Sequence, residues 1–289
     1  MGFRWSRDDA SIGDGFRRIA REEIGKAIAA AEDEAQETGE RVHEARRRAK
    51  RLRALLRLVR PQFGRYAREN AFVRDAARDL SRARDAKVAR ETLESLMQWA
   101  GQDAPPRPAA APGDDEATTL RTFIARMGEL LARADKWKAG KIDLDTLAAG
   151  LAGTYRSGQA AMARAMDRPS DAAFHEWRKQ AKYHWSQLKL LEHFAEQVVP
   201  GERKAAGALA DLLGQHHDLA VLRGMVNEDA GQFGGMDAAF VLDAAQRRQA
   251  ELEDEIRALG RQVYAERPGA LQARFASYAE GWGEQEEVG

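Results

Sequence analysis

Residues 42–60, VHEARRRAKRLRALLRLVR, decide how this chain is read, because the stretch recurs. Residues 174–192, FHEWRKQAKYHWSQLKLLE, align with it at an offset of 132. His43-Glu44 falls on His175-Glu176, Arg46-Arg47 on Arg178-Lys179, Ala49-Lys50 on Ala181-Lys182, and Leu56-Arg57 on Leu188-Lys189. A second echo, at an offset of 133, sets LSRARDAKV (80–88) on LGQHHDLAV (213–221). Two echoes in the same order and at nearly the same spacing imply two related halves of about four helices each, joined around 138–145.

On a helical wheel Val42, Ala45, Ala49, Leu52, Leu56 and Val59 recur at alternating spacings of three and four, an apolar stripe that faces a bundle. Turned by about 100° lies a second row, His43, Arg46, Lys50, Arg53 and Arg57. The later copy repeats both: Phe174, Trp177, Ala181, His184, Leu188 and Leu191 as the stripe, with His175, Arg178, Lys182, Trp185 and Lys189 beside it. Arg47 and Lys179 widen the two rows. Trp177 belongs to the core stripe. Like charges at i,i+4 weaken a helix by a few tenths of a kcal/mol per pair. A cationic row that occurs twice therefore calls for an anionic counterpart, either carboxylates of neighbouring helices or an extended anionic ligand. Guanidinium groups suit phosphate oxygens through paired hydrogen bonds.

The rest of the composition narrows the choice. The chain has 289 residues and equal numbers of basic and acidic side chains, 46 of each. The charge is segregated all the same. Residues 41–60 carry nine bases against Glu44, whereas residues 251–289 carry nine acids against four arginines. Local fields, not the sum, govern binding. The absence of cysteine removes disulfides, thiolate metal sites and cysteine nucleophiles. With no secretory or membrane-spanning stretch, a soluble cytoplasmic setting is expected.

Helical periodicity runs almost throughout and predicts helices over 14–37, 39–60, 63–100, 116–138, 143–167, 170–195, 201–230, 235–262 and 268–281. Pro61, Pro169-Ser170, Pro200-Gly201 and Gly234-Gly235 punctuate them. GQDAPPRPAAAPGDD (101–115) reads as a flexible or polyproline-like loop. The fold class is all-α. Residues 12–140 form the first half, 141–265 the second, and 266–289 a C-terminal helix with an acidic tail.

Enzyme signatures are missing. HEARR and HEWRK begin like the HExxH zinc motif but end in Arg47 and Lys179, so the second ligand is lacking. His216-His217-Asp218 are adjacent on a helix and face different ways, which argues against a metal site. No Gly-rich phosphate loop, GxSxG or ExExK pattern occurs. No catalysis and no cofactor are expected.

These residues resemble the CHAD family, the conserved-histidine α-helical domain. GFRRIAREEIGKAI (15–28) is similar to the family's opening helix, and the two histidine stretches, each followed by an L-x-x-x-x-D-x-x-V element, to its motifs. The resemblance implies two four-helix bundles related by a pseudo-twofold axis, with a basic surface or pore between them. It implies binding of inorganic polyphosphate, often on polyphosphate granules. Carried over residue by residue, the binding set is His43, Arg46, Arg47, Lys50, Arg51, Arg53 and Arg57 in the first half. In the second it is His175, Arg178, Lys179, Lys182 and Lys189. Arg18 of the opening helix, Arg84 and Arg156 of TYRSG are added. Tyr183 and Trp185 depart from the bases Arg51 and Arg53 of the first copy, and His217 stands where that copy has Arg84. A weaker second half follows. Nucleic acid as the polyanion, or a scaffold whose arginines serve internal ion pairs, remain alternatives.

Overall fold

A computed structural model describes residues 2–80, 82–103, 115–229 and 237–284, those at 82–87, 115–116 and 282–284 through their backbone alone. Regular structure among the described residues is helical. The α-helices are α1 (Ile12–Glu32), α2 (Thr38–Leu58), α3 (Tyr66–Asp79), α4 (Arg82–Trp99), α5 (Asp115–Ala134), α6 (Leu144–Asp167), α7 (Asp171–Leu191), α8 (Val199–Glu228), α9 (Ala238–Val263) and α10 (Pro268–Glu284). A short 3-10 turn, Glu192–Phe194, follows α7. No helix of the described residues is long and apolar enough to cross a membrane.

Local chemistry sets several helix starts. Ser11 accepts from the Asp14 N–H and Ser170 from the Ala173 N–H, each taking up a donor that the first turn leaves without an intrahelical partner. Asp143 and Thr146 form a reciprocal capping box at α6. Pro200 sits inside the first turn of α8, where its missing N–H costs nothing. Pro61 follows the end of α2 by three residues, and Ser170 caps α7 as its position after Pro169 predicts. The Gly234-Gly235 break and most of the 101–115 loop lie outside the described residues.

The single helix expected over 63–100 is two. It breaks after Asp79, where Leu80 caps α3 and is buried in the core. The two pieces differ in their main partners: α3 packs on α2 and α5, whereas α4 packs chiefly on α8 and also touches α2 and α9. A straight rod serves one direction only, and the apolar periodicity that runs through both pieces carries no sign of the turn.

α1 packs on α2 and α5, and α6 packs on α7 and α10. α8 lies between α7 and α9, and α2 ties the assembly together through α6 and α7. Phe16, Phe63 and Trp137 meet with ring centres 5.1–5.5 Å apart in one part of the core. In another, Trp177 packs on Phe174, and a Cβ on Gly260 would come within 2.5 Å of its ring. At α6 a Cβ on Gly150 would sit on the Leu58 carbonyl, so only glycine lets α6 lie against the end of α2. Two buried carboxylates are paired. Glu23 of α1, 1% exposed, meets Arg48 of α2 at 3.3 Å, and Glu69 of α3, 0% exposed, meets Arg133 of α5 at 2.9 Å. Removing one partner of such a pair leaves a buried charge and costs about 3–5 kcal/mol. Arg48 is thereby committed to the fold.

Candidate anion-binding surface

Every residue of the two apolar stripes is buried. Of the row beside the α2 stripe, Arg53 and Arg57 reach across to α7. At the crossing the Gln187 side-chain amide of α7 donates to the Ala54 carbonyl of α2, at 3.3 Å and out of contact with water.

On one side of that crossing, like charges act on one another. Arg51 of α2 lies over the Phe3 ring, 5.5 Å from its centre. Lys189 of α7 is held below the ordinary lysine range first by burial, then by the charges of Arg51, Arg203 and Arg47, against the opposing pull of Glu192. Arg51 is lowered too, chiefly by burial, with Arg48 and Arg47 adding to the effect and Glu23 and Glu44 opposing it. Among the described residues neither Arg51 nor Lys189 makes an ion pair. Arg203 is satisfied by Glu192 at 2.6 Å.

On the other side, an aromatic ring separates the charges. Arg57 and Arg53 of α2 lie over the Tyr183 ring of α7, at 4.6 and 5.6 Å from its centre. Arg53 also donates to the Asn70 side-chain oxygen at 3.1 Å. The ring face attracts both guanidiniums and keeps their planes available.

At the N-terminal end of α7 two histidines meet across the helix interface. His175 Nδ1 and His217 Nδ1 of α8 are 3.2 Å apart, so one ring donates and the other accepts. Both are held neutral. His217 is pushed down to about 3, first by burial, then by Arg178, His175, His216 and Lys182. His175 is lowered by burial and by Arg178 and Lys179, with Glu176 opposing. His216, next in sequence, turns the other way: its ring packs on Phe174, and its Nε2 is 3.4 Å from Glu253.

The remaining expected residues divide. His43, Arg46 and Lys50 stand in their row along α2, and Arg178 and Lys182 in theirs along α7. The outer bases are spoken for by the motif's own glutamate: Arg47 pairs with Glu44 at 2.7 Å and Lys179 pairs with Glu176. Arg18 has partners of its own. Asp9 at 2.6 Å, Glu22 at 3.0 Å and the Arg4 carbonyl at 2.9 Å hold it, and the two carboxylates raise its affinity for the proton. Arg156 is exposed on α6. The Arg84 side chain lies outside the described residues. Trp185, half-buried, packs toward Gly207 of α8. No group of three His, Asp or Glu side chains among the described residues stands close enough to hold a metal ion.

The CHAD domain family model matches residues 18–227, from early α1 almost to the end of α8. The chain belongs to the CHAD domain family. No curated protein matches it. The matched span contains both histidine helices and leaves α9 and α10 outside.

Within the CHAD domain three contributors escape a reading of motifs alone. Tyr183 departs from the first copy's arginine, yet it forms the platform under Arg53 and Arg57. His217 aligns with Arg84, and that alignment is the signal that could have paired it with His175. Arg203, on α8, follows no repeat and is placed beside Lys189 by the packing of α7 on α8 alone.

Proposed function

We propose that this CHAD domain binds inorganic polyphosphate along the surface where α2 and α7 cross, without chemical turnover, and that binding carries it to polyphosphate granules in the cytoplasm. One observation carries the reading: Arg51 of α2 and Lys189 of α7 are both half-buried, neither makes an ion pair among the described residues, and the Arg51 charge acts on Lys189. Such crowding is unfavourable in an empty protein and becomes favourable when a chain of phosphates supplies the counter-charge. The second corner offers the Arg53 and Arg57 guanidiniums for bidentate contacts.

The two-bundle arrangement belongs to the same reading. At the offset of 132, Arg51 aligns with Tyr183 and Arg57 with Lys189. The relations across the crossing are reciprocal in those terms: Arg57 lies over the Tyr183 ring on one side, and the Arg51 charge acts on Lys189 on the other. That reciprocity supports a pseudo-twofold axis near the Ala54–Gln187 contact, with residues 12–140 and 141–265 as the two halves. It also separates the corners: the cation–cation one binds polyphosphate more tightly than the cation–ring one.

Titration with polyphosphates of several lengths, at two salt concentrations and in competition with charge-matched RNA, tests this. Long-chain polyphosphate displacing RNA, with affinity falling steeply with salt through counterion release, is the expected result. RNA displacing polyphosphate would replace the reading with nucleic-acid binding. Charge reversal at Arg46 and Lys50 that unfolds the protein would favour the scaffold.

A further inference from the structure

Where the end of α2 meets α6 there is an open cavity of about 260 Å³, lined by Arg57, Arg60, Gly150, Gly153, Thr154 and Ser157 together with Pro61 and Ala149. No acid lines it. Three features of this cavity point to a ligand.

Thr154 is 3% exposed, and its Oγ1 is buried without a hydrogen-bond partner. A helical Ser or Thr ordinarily bonds the carbonyl four residues back. Ser157 does so to Gly153, Thr92 to Val88 and Thr122 to Thr118. Thr154 does not. A buried hydroxyl left this way costs about 1–3 kcal/mol unless something else meets it.

Neither Arg57 nor Arg60 makes an ion pair among the described residues. Each guanidinium lies over a tyrosine ring instead, Arg57 over Tyr183 and Arg60 over Tyr66 at 5.1 Å. The carbonyl end of α2 contributes about half a negative charge. Two full positive charges outweigh it. Finally, a Cβ on Gly153 would meet nothing within 4 Å, so the absence of a side chain there keeps the cavity open.

We propose that this cavity holds a single phosphoryl group, its oxygens taken by the Arg57 and Arg60 guanidiniums and by the Thr154 hydroxyl. The group is either free orthophosphate or the terminal phosphate of a chain; in the second case the inference rests on the polyphosphate reading and gives the surface a place to anchor a chain end. Arg57 joins the two, since it lines the cavity and also lies over Tyr183.

Isothermal titration of the intact protein with orthophosphate, tripolyphosphate and long-chain polyphosphate is the test, comparing the unaltered protein with Thr154→Val and Gly153→Leu. Valine keeps the shape and removes only the hydroxyl, so Thr154→Val folds and melts no lower than the parent. It weakens the phosphoryl ligand about tenfold, as expected for one hydrogen bond to a charged group. Gly153→Leu fills the cavity and abolishes that binding. Loss for orthophosphate alone assigns a free-phosphate site; loss for orthophosphate and tripolyphosphate together assigns a chain end. Unaltered protein that binds neither small ligand, or variants that bind both as the parent does, would overturn the cavity. Failure of long-chain polyphosphate to bind the parent, with orthophosphate binding present and lost in Thr154→Val, would instead overturn the polyphosphate reading and leave the cavity standing.

Discussion

The Arg57 guanidinium of α2 lies 4.6 Å from the centre of the Tyr183 ring of α7, whereas the positions that align with this pair, Lys189 and Arg51, are both cations. The asymmetry comes from one substitution between the repeated helices, tyrosine for arginine. On the function proposed above, the ring offsets part of the charge at one corner, and an external anion supplies the counter-charge at the other.

Restoring the repeat tests that division. Tyr183→Arg should replace attraction with repulsion, lowering the melting temperature while raising affinity for long-chain polyphosphate. The slope of log affinity against log salt should steepen by about 0.7–0.9, the amount associated with one added phosphate contact.

The opposite change belongs at Lys189. Lys189→Ala removes a half-buried charge crowded by Arg51, Arg203 and Arg47, so urea denaturation should show stability unchanged or higher by a few tenths of a kcal/mol. Polyphosphate affinity should fall, and the salt slope should become shallower by about 0.7–0.9. A clear loss of stability would mean that the lysine serves the fold.

Stability should decline in acid on account of buried imidazoles. His217 is lowered to about 3 and His184 to about 4 from an ordinary 6.5, both mainly by burial. Between those values and 6.5 the folded protein keeps the rings neutral while the unfolded chain protonates them. Unfolding therefore takes up protons as the pH falls below 6.5, and stability present above that pH is lost progressively toward 4 and 3. The groups around the His217 ring, Arg178 and Lys182 of α7 with His175 and His216, all disfavour its protonation. Denaturation curves above and below pH 6.5 should show His217→Gln with a shallower acid limb, by about 1.4 kcal/mol per pH unit at most.

Two glycines one turn apart should behave oppositely. At Gly150 an added methyl collides with the Leu58 carbonyl, and backbone cannot move aside as a side-chain tip can. Gly150→Ala should cost about 3 kcal/mol or more through overpacking of the α2–α6 contact. Gly153→Ala meets open space and should stabilise by up to about 1 kcal/mol through helix propensity. Thermal melts of the two single variants decide the matter.

Much of this was legible in the linear chain because helices impose a local rule. The spacing of Val42, Ala45, Ala49, Leu52, Leu56 and Val59 marked the buried stripe, and the same spacing marked Phe174 through Leu191; every one of those side chains is buried. The rows beside them follow from a rotation of one residue. Ser170 announced its helix start through the side-chain acceptor that a first turn needs. The break after Asp79 was not legible, since α3 and α4 continue one periodicity and differ only in the neighbours they meet.

By itself, then, the sequence determined that the chain is helical, which face of α2 and of α7 turns inward, and that a row of cations runs beside each. Those properties depend on residues within one or two turns of one another. Which cations stand together was decided by tertiary structure alone. Arg18 carries the family's opening motif, yet Asp9 and Glu22 hold it. The Arg51 charge acts on Lys189 only because α2 and α7 cross at Ala54 and Gln187. Thr154 reaches a cavity beside Arg57 only because Gly150 lets α6 touch the end of α2. Charge acts through space and falls off with distance, so residues far apart along the chain become one site only after packing brings them within a few ångströms.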